Sequence, residues 1–220
     1  MMSGMHCFLH LEGRINWFTQ GAPPSKTWHK ILQVLYTEIE AKTEKHFEFL
    51  TIRRKRMSYI EVNYPTEKKA FYSMLAEQVR LYIGEETNRT AVLANVSSVI
   101  AQAFPDANWV GFYLVDGDEL VLGPFQGKPA VSRIGYGCGV CGTAWKEQRS
   151  QVVEEVSCFP GHIACDCNTH AEIVIPLWDK KDGSIRGVLD MDSVISGYFT
   201  EEDRVGLEQV MKLICYSREQ

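Results

Sequence analysis

After Pro105 the spacing of apolar residues changes from a helical period to an extended one, and it stays extended almost to Thr200. Before that switch, apolar residues recur every three or four positions: Phe71, Met74, Leu75, Val79 and Tyr82 up to Gly84, then Val92, Val96, Val99, Ile100 and Ala103. This is the signature of two amphipathic helices, the first capped by Thr66. After it come short strand-like runs over residues 109–115, 119–122, 131–134, 151–156, 171–178 and 185–192. Asp116-Gly117-Asp118 and Asp182-Gly183 supply hairpin turns. Residues 124–128 and 157–170 read as loops, and the Gly-rich stretch 135–142 as irregular backbone leading into a short helix over 143–147. A last helix opens at Thr200, with Asp203 three residues on as a capping-box variant and Leu207, Val210, Met211 and Ile214 on its core face. Strands joined largely by hairpins pair antiparallel. The expected fold is therefore α+β, a mainly antiparallel sheet of about six strands flanked by helices.

Residues 1–56 are of another character. They carry nine Lys/Arg against five Glu, a net of +4, which leaves −9 of the total −5 for residues 57–220. A Gly-Ala-Pro-Pro break at residues 21–24 precedes one plausible helix over 27–49. We expect residues 1–56 to be a poorly ordered or loosely packed extension and residues 57–220 to be the functional domain. The acidic balance argues against a nucleic-acid partner, which requires clustered Lys and Arg. No apolar run approaches the ~18 residues of a membrane span, and residues 1–10 lack the layout of a secretory signal. The expected location is cytoplasmic.

Seven cysteines in such a chain read as reduced thiols, not as a disulfide framework. Five of them fall between Cys138 and Cys167. In the loop from Cys158 to His170, three thiols and two imidazoles suit zinc in ligand type, but the spacing C-x3-H-x2-C-x-C-x2-H matches no common zinc pattern. Redox chemistry fits better. A nucleophilic thiol needs access, and a second thiol must reach it to form a disulfide. Cys141, on a Gly-rich backbone expected to be mobile, is placed to be such a partner. A single cysteine is more often a buried apolar filler; five in thirty residues on two loops are not.

Acidic residues form the next group. Glu172 begins one strand, and Asp190 and Asp192 share a face of another because strand side chains alternate. Like charges held close raise the pKa of at least one carboxyl, which then donates a proton near neutral pH; they also suit a substrate ammonium. A plain solvated face is the bland alternative. Trp109 and Tyr113, four positions apart, likewise share a face, either as core or as an aromatic wall for a sulfur-bearing group.

Six fragments taken in order carry a family resemblance: Trp109-Val-Gly-Phe-Tyr113-Leu, Leu122-Gly-Pro-Phe-Gln-Gly127-Lys, Gly139-Val-Cys141-Gly-Thr-Ala, Gly161-His-Ile-Ala-Cys165-Asp, Glu172-Ile-Val-Ile-Pro-Leu and Gly187-Val-Leu-Asp190-Met-Asp192-Ser. Together they resemble the free methionine-(R)-sulfoxide reductases over about residues 109–202. The resemblance implies a GAF-like fold and a homodimer that reduces free, not protein-bound, methionine sulfoxide. It implies Cys165 as nucleophile, Cys141 as resolving thiol, a substrate pocket of Glu172, Asp190 and Asp192, and a methyl end lined by Trp109 and Tyr113. The additional cysteine many relatives carry aligns with Val131 here. Cys138 and Cys167 are extra thiols, possible auxiliaries in a relay. On this reading Asp192 protonates the sulfoxide, Cys165 becomes a sulfenic acid, Cys141 condenses with it, and a thioredoxin-type dithiol restores the pair, with no bound metal or cofactor. Two other classes stay open at this stage: a ligand-sensing GAF module without turnover, and a zinc protein.

Overall fold

The computed structural model describes residues 6–9, 15–18, 62–161, 163 and 166–214. Its elements in chain order are β1 (His6–Leu9), β2 (Ile15–Phe18), α1 (Lys68–Ile83), α2 (Arg89–Ala103), β3 (Ala107–Asp116), β4 (Glu119–Gly127), β5 (Arg133–Gly135), α3 (Gly139–Glu147), β6 (Gln151–Val153), β7 (Ala171–Trp178), β8 (Ile185–Ser193) and α4 (Glu201–Met211). The strands β1 and β2 pair antiparallel, His6 opposite Phe18. The helix expected over 27–49 and the boundary at residue 56 lie outside the described residues. Among the described residues no helix is long and apolar enough to cross a membrane.

The other six strands form one antiparallel sheet in the order β5-β4-β3-β8-β7-β6. This is the α+β architecture expected from the change of period. Alternation along the three central strands divides their side chains between two cores. On one face Val110 and Phe112, Leu189 and Met191, and Ile173, Ile175 and Leu177 meet Leu75 and Val79 of α1, Leu93, Val96 and Ile100 of α2, and Leu207 and Val210 of α4. Each fully buried aliphatic side chain there contributes about 1.5–3 kcal/mol. On the other face Trp109, Tyr113, Val174 and Val188 meet Val140, Cys141 and Ala144 of α3. The second core carries the site.

Helix α4 starts as its sequence predicts: Thr200 and Asp203 form a reciprocal capping box. The same Asp203 carboxylate accepts from the Tyr72 hydroxyl at 2.6 Å and from Lys68 Nζ at 2.5 Å, so one buried acid ties α1 to α4. Gly206 allows this approach, because a Cβ there would lie 2.3 Å from the Tyr72 ring. Tyr72 therefore belongs to the core, while Met74, expected inside, is 36% exposed.

Three local expectations are corrected. The cap of α1 is Glu67, whose carboxylate accepts from the N–H groups of Lys69 and Ala70 at 3.0 and 2.7 Å, not Thr66. Strand β4 runs through the segment expected to be a loop. Gly111 pairs with Phe125 and Tyr113 with Leu122, so Phe112 faces both Gly123 and Pro124. That bulge accommodates a proline lacking an N–H inside a sheet. Helix α3 begins at Gly139, well before residue 143. Its glycines serve close packing: a Cβ at Gly142 would lie 2.4 Å from the Gly135 carbonyl oxygen.

Candidate active site

The register of the sheet sets the acids side by side. Glu172 on β7 is the partner of Asp192 on β8, and Asp192 is in turn the partner of Trp109 on β3. Asp190, two residues before Asp192, sits opposite Gly111 and Val174. All three acids point to the α3 face and are more than nine-tenths buried. Cys141, in the first turn of α3, lies over them with its Sγ 4.0 Å from Glu172 Oε1, oriented to donate to it. It is 3% exposed, so the expectation of a mobile segment is corrected. The thiol is carried by a packed helix because the glycines around it let α3 settle onto the turn after β5.

Burial, first, pushes the carboxyls of Glu172, Asp190 and Asp192 well above the usual carboxylate range, and their mutual repulsion adds to it. The Cys141 thiol is pushed up by burial and by Asp190 and Glu172. The acids and Cys141 surround a cavity of about 20 Å³, closed by Ile134, Cys138, Val140, Ile163 and Thr169. Two buried oxygens, Asp190 Oδ1 and Thr169 Oγ1, have no hydrogen-bond partner among the described residues. A cluster this acidic, with an orphaned acceptor, suits a ligand that brings positive charge and N–H or O–H donors. One sulfur and two carboxylate oxygens, from Cys141, Glu172 and Asp190, also lie within 4.8 Å of one another, a donor set that fits a soft divalent cation in type.

The raised carboxyl pKa values set the sign of a stability effect. A carboxyl that holds its proton more tightly when folded stabilises fully below the unfolded value of about 4, and that contribution is lost as pH rises through the folded value. Asp190→Asn removes one such group and keeps the shape. The variant is expected to melt about 2–4 °C above the wild type near pH 8, with the gap closing toward pH 4. Thermal unfolding followed across that pH range checks this, and a lower melting temperature at pH 8 would contradict the burial argument.

Trp109 and Tyr113 stand on the same face beside the cavity, stacked at 5.9 Å, without lining it. The Trp109 indole donates to the Lys128 carbonyl at 3.1 Å and the Tyr113 hydroxyl to the Val131 carbonyl at 2.9 Å. Gly111 leaves room for that indole, since a Cβ there would lie 2.5 Å from it. His162, Ala164 and Cys165 lie outside the described residues. On either side of Cys165, Ile163 packs into the Cys141 cluster, and Asp166 pairs with Lys128 at 2.7 Å. Cys138, Cys158 and Cys167 are exposed thiols. Thr169 and Ile163 were not anticipated as cavity residues. Their loop is bound to the sheet by backbone hydrogen bonds, His170 N–H to Ser193 at 2.8 Å and Val156 N–H to His170 at 2.7 Å, and no side-chain pattern announces that.

No protein-family model matches the chain. It is 48% identical over 144 residues to the free methionine-R-sulfoxide reductase of Escherichia coli (strain K12), a match that covers 66% of this chain and 86% of that protein. Among solved structures it is similar to the free methionine-R-sulfoxide reductase of Neisseria meningitidis in complex with its substrate, with 42% identity, a TM-score of 0.66, and coverage of 70% of this chain and 93% of that one. A solved GAF domain matches at 37% identity and a TM-score of 0.66, over 71% of this chain and 95% of that domain. The six-stranded sheet with its helices is thus a GAF fold. By sequence and by fold, the chain belongs to the free methionine-R-sulfoxide reductases, a family of oxidoreductases.

Proposed function

We propose that the chain reduces free L-methionine-(R)-sulfoxide to methionine by thiol chemistry, with Cys165 as nucleophile. One observation carries the reading most: a buried thiol and three buried carboxyls converge on one cavity, and the chain flanking Cys165 supplies part of that cavity's wall at Ile163 and Thr169. Two residues of backbone span at most about 7 Å, which keeps position 165 within reach of the site from Ile163.

In the proposed reaction the substrate ammonium sits between Glu172 and Asp190 and supplies the positive charge the cluster lacks. Asp192, whose carboxyl burial and the neighbouring acids push well above the usual carboxylate range, gives its proton to the sulfoxide oxygen. Protonation makes the sulfoxide sulfur electrophilic and the Cys165 thiolate attacks it; the substrate S–O bond then breaks as the hydroxyl passes to Cys165 Sγ, so that methionine leaves and Cys165 becomes a sulfenic acid. The Cys141 thiol then forms an S–S bond to Cys165 as the S–OH bond breaks, and its proton passes by way of a neighbouring carboxylate to the leaving hydroxyl, which departs as water. A thioredoxin-type dithiol returns two electrons and two protons. At about 20 Å³ the cavity has room for about one water. Binding an amino acid widens it on the side of Ile163 and Thr169, because the other walls belong to sheet and helix. A pocket enclosed on those sides has no exit for the flanking peptide bonds of methionine within a polypeptide.

A thioredoxin-coupled assay offering free (R)-sulfoxide, free (S)-sulfoxide and a sulfoxide-containing peptide separately tests the proposal. Consumption of the free (R) form alone is expected. Equal turnover of the peptide, or none of any substrate, would end it.

A further inference from the structure

Cys138 and Cys141 form a C-x-x-C pair across the start of α3, and the two thiols differ in access. Cys138 is the N-cap residue and is exposed, with no side-chain hydrogen bond to the helix. Cys141 is buried in the first turn. The Gly142 N–H donates to the Cys138 carbonyl at 2.9 Å, so that turn closes onto Cys138 itself. Residues three apart on such a turn have Cβ atoms about 5–6 Å apart, close enough for a small adjustment to bring the two sulfurs into bonding geometry. Both residues line the cavity of the three acids. A reductant must present its own thiolate to a disulfide sulfur, and no external thiolate reaches Cys141 at 3% exposure. At Val131, the position of the additional family cysteine, there is no thiol to help.

We propose that Cys138 is a relay thiol that moves the disulfide from the Cys141–Cys165 pair to an accessible Cys138–Cys141 pair. This rests on the reductase reading above. The Cys138 thiolate attacks Cys141 Sγ; the Cys141–Cys165 bond breaks, Cys165 leaves as a thiolate, and the Cys138–Cys141 bond forms. No electron is gained or lost in the exchange. The incoming dithiol then attacks Cys138 Sγ at the surface, and Cys141 leaves. The ring of Tyr136, two residues before Cys138, is 52% exposed and stands edge-on to Trp145 at 4.8 Å, an aromatic surface beside the attacked sulfur. Relocating the disulfide also frees Cys165 before any reductant arrives.

The test uses the full chain, reduced and desalted, mixed with excess free (R)-sulfoxide and no reductant, then quenched in acid, alkylated and mapped by mass spectrometry. The wild type is expected to release about two methionines per chain and to contain a Cys138–Cys141 disulfide. Cys138→Ser and Cys138→Ala are each expected to release about one and to retain Cys141–Cys165; serine is a favourable N-cap, so the helix start is kept. One methionine per wild-type chain with Cys138 alkylated, or a disulfide that pairs Cys167 in its place, overturns the relay while leaving the reductase reading intact. No methionine from the wild type overturns both.

Discussion

Cys165→Ser is expected to lower methionine formation from the free (R)-sulfoxide by at least about a thousandfold. A serine hydroxyl keeps the size of the side chain but is not ionised near neutral pH and is a poor nucleophile toward sulfur. Neither of the described thiols that line the cavity is placed to substitute. Cys141 is held in a helix over the acids, and its surroundings keep it protonated. Cys138 lines the same cavity but is exposed to solvent, away from the buried acids that would bind and protonate the substrate. The measurement is a single-turnover assay with direct detection of methionine, so that failure to recycle cannot be mistaken for failure of the first step. A thermal unfolding curve unchanged from the wild type shows that the fold is intact. Residual activity above about a tenth of the wild type would remove Cys165 from the nucleophile's role.

Asp192→Asn is the second large effect. A positioned general acid contributes about 10²–10⁴-fold, and kcat is expected to fall within that range while the shape of the pocket is kept. Burial is the main reason Asp192 holds its proton, followed by the charges of Asp190 and Asp166. The wild-type rate should therefore decline on the alkaline side, as the proton donor is lost with rising pH. Because Glu172, Asp190 and Asp192 interact, that decline belongs to the cluster and not to one residue. The asparagine variant should be slow and lose the alkaline decline. If Asp192→Asn retains activity within about twofold of the wild type and Glu172→Gln takes the loss, the proton comes from Glu172.

Where the interaction that shapes a segment is local, the chain is legible. The Thr200–Asp203 capping box, the Asp116-Gly117-Asp118 hairpin and the shared face of Asp190 and Asp192 follow from spacing alone. Elsewhere the same residue type serves two opposite ends. The glycines from 135 to 142 look like flexible backbone in sequence, yet they let a helix lie against a neighbouring carbonyl and carry Cys141 into the core. Pro124 looks like a strand breaker, yet a bulge opposite Phe112 takes it into β4. Thr169 has no distinguishing pattern at all.

Read alone, the residues determined the α+β class and the order of the sheet-forming segments, and they pointed to the three acids and Cys141 that share one cavity. Those depend on periodicity, turn residues and motif, which act over a few positions. Only the tertiary structure decided that Cys141 is buried and Cys138 exposed, that Glu172 lies opposite Asp192, and that Ile163 and Thr169 close the cavity. Those are contacts between segments tens of residues apart. Their energies come from desolvation and cross-strand register, which exist only once the sheet and α3 have come together.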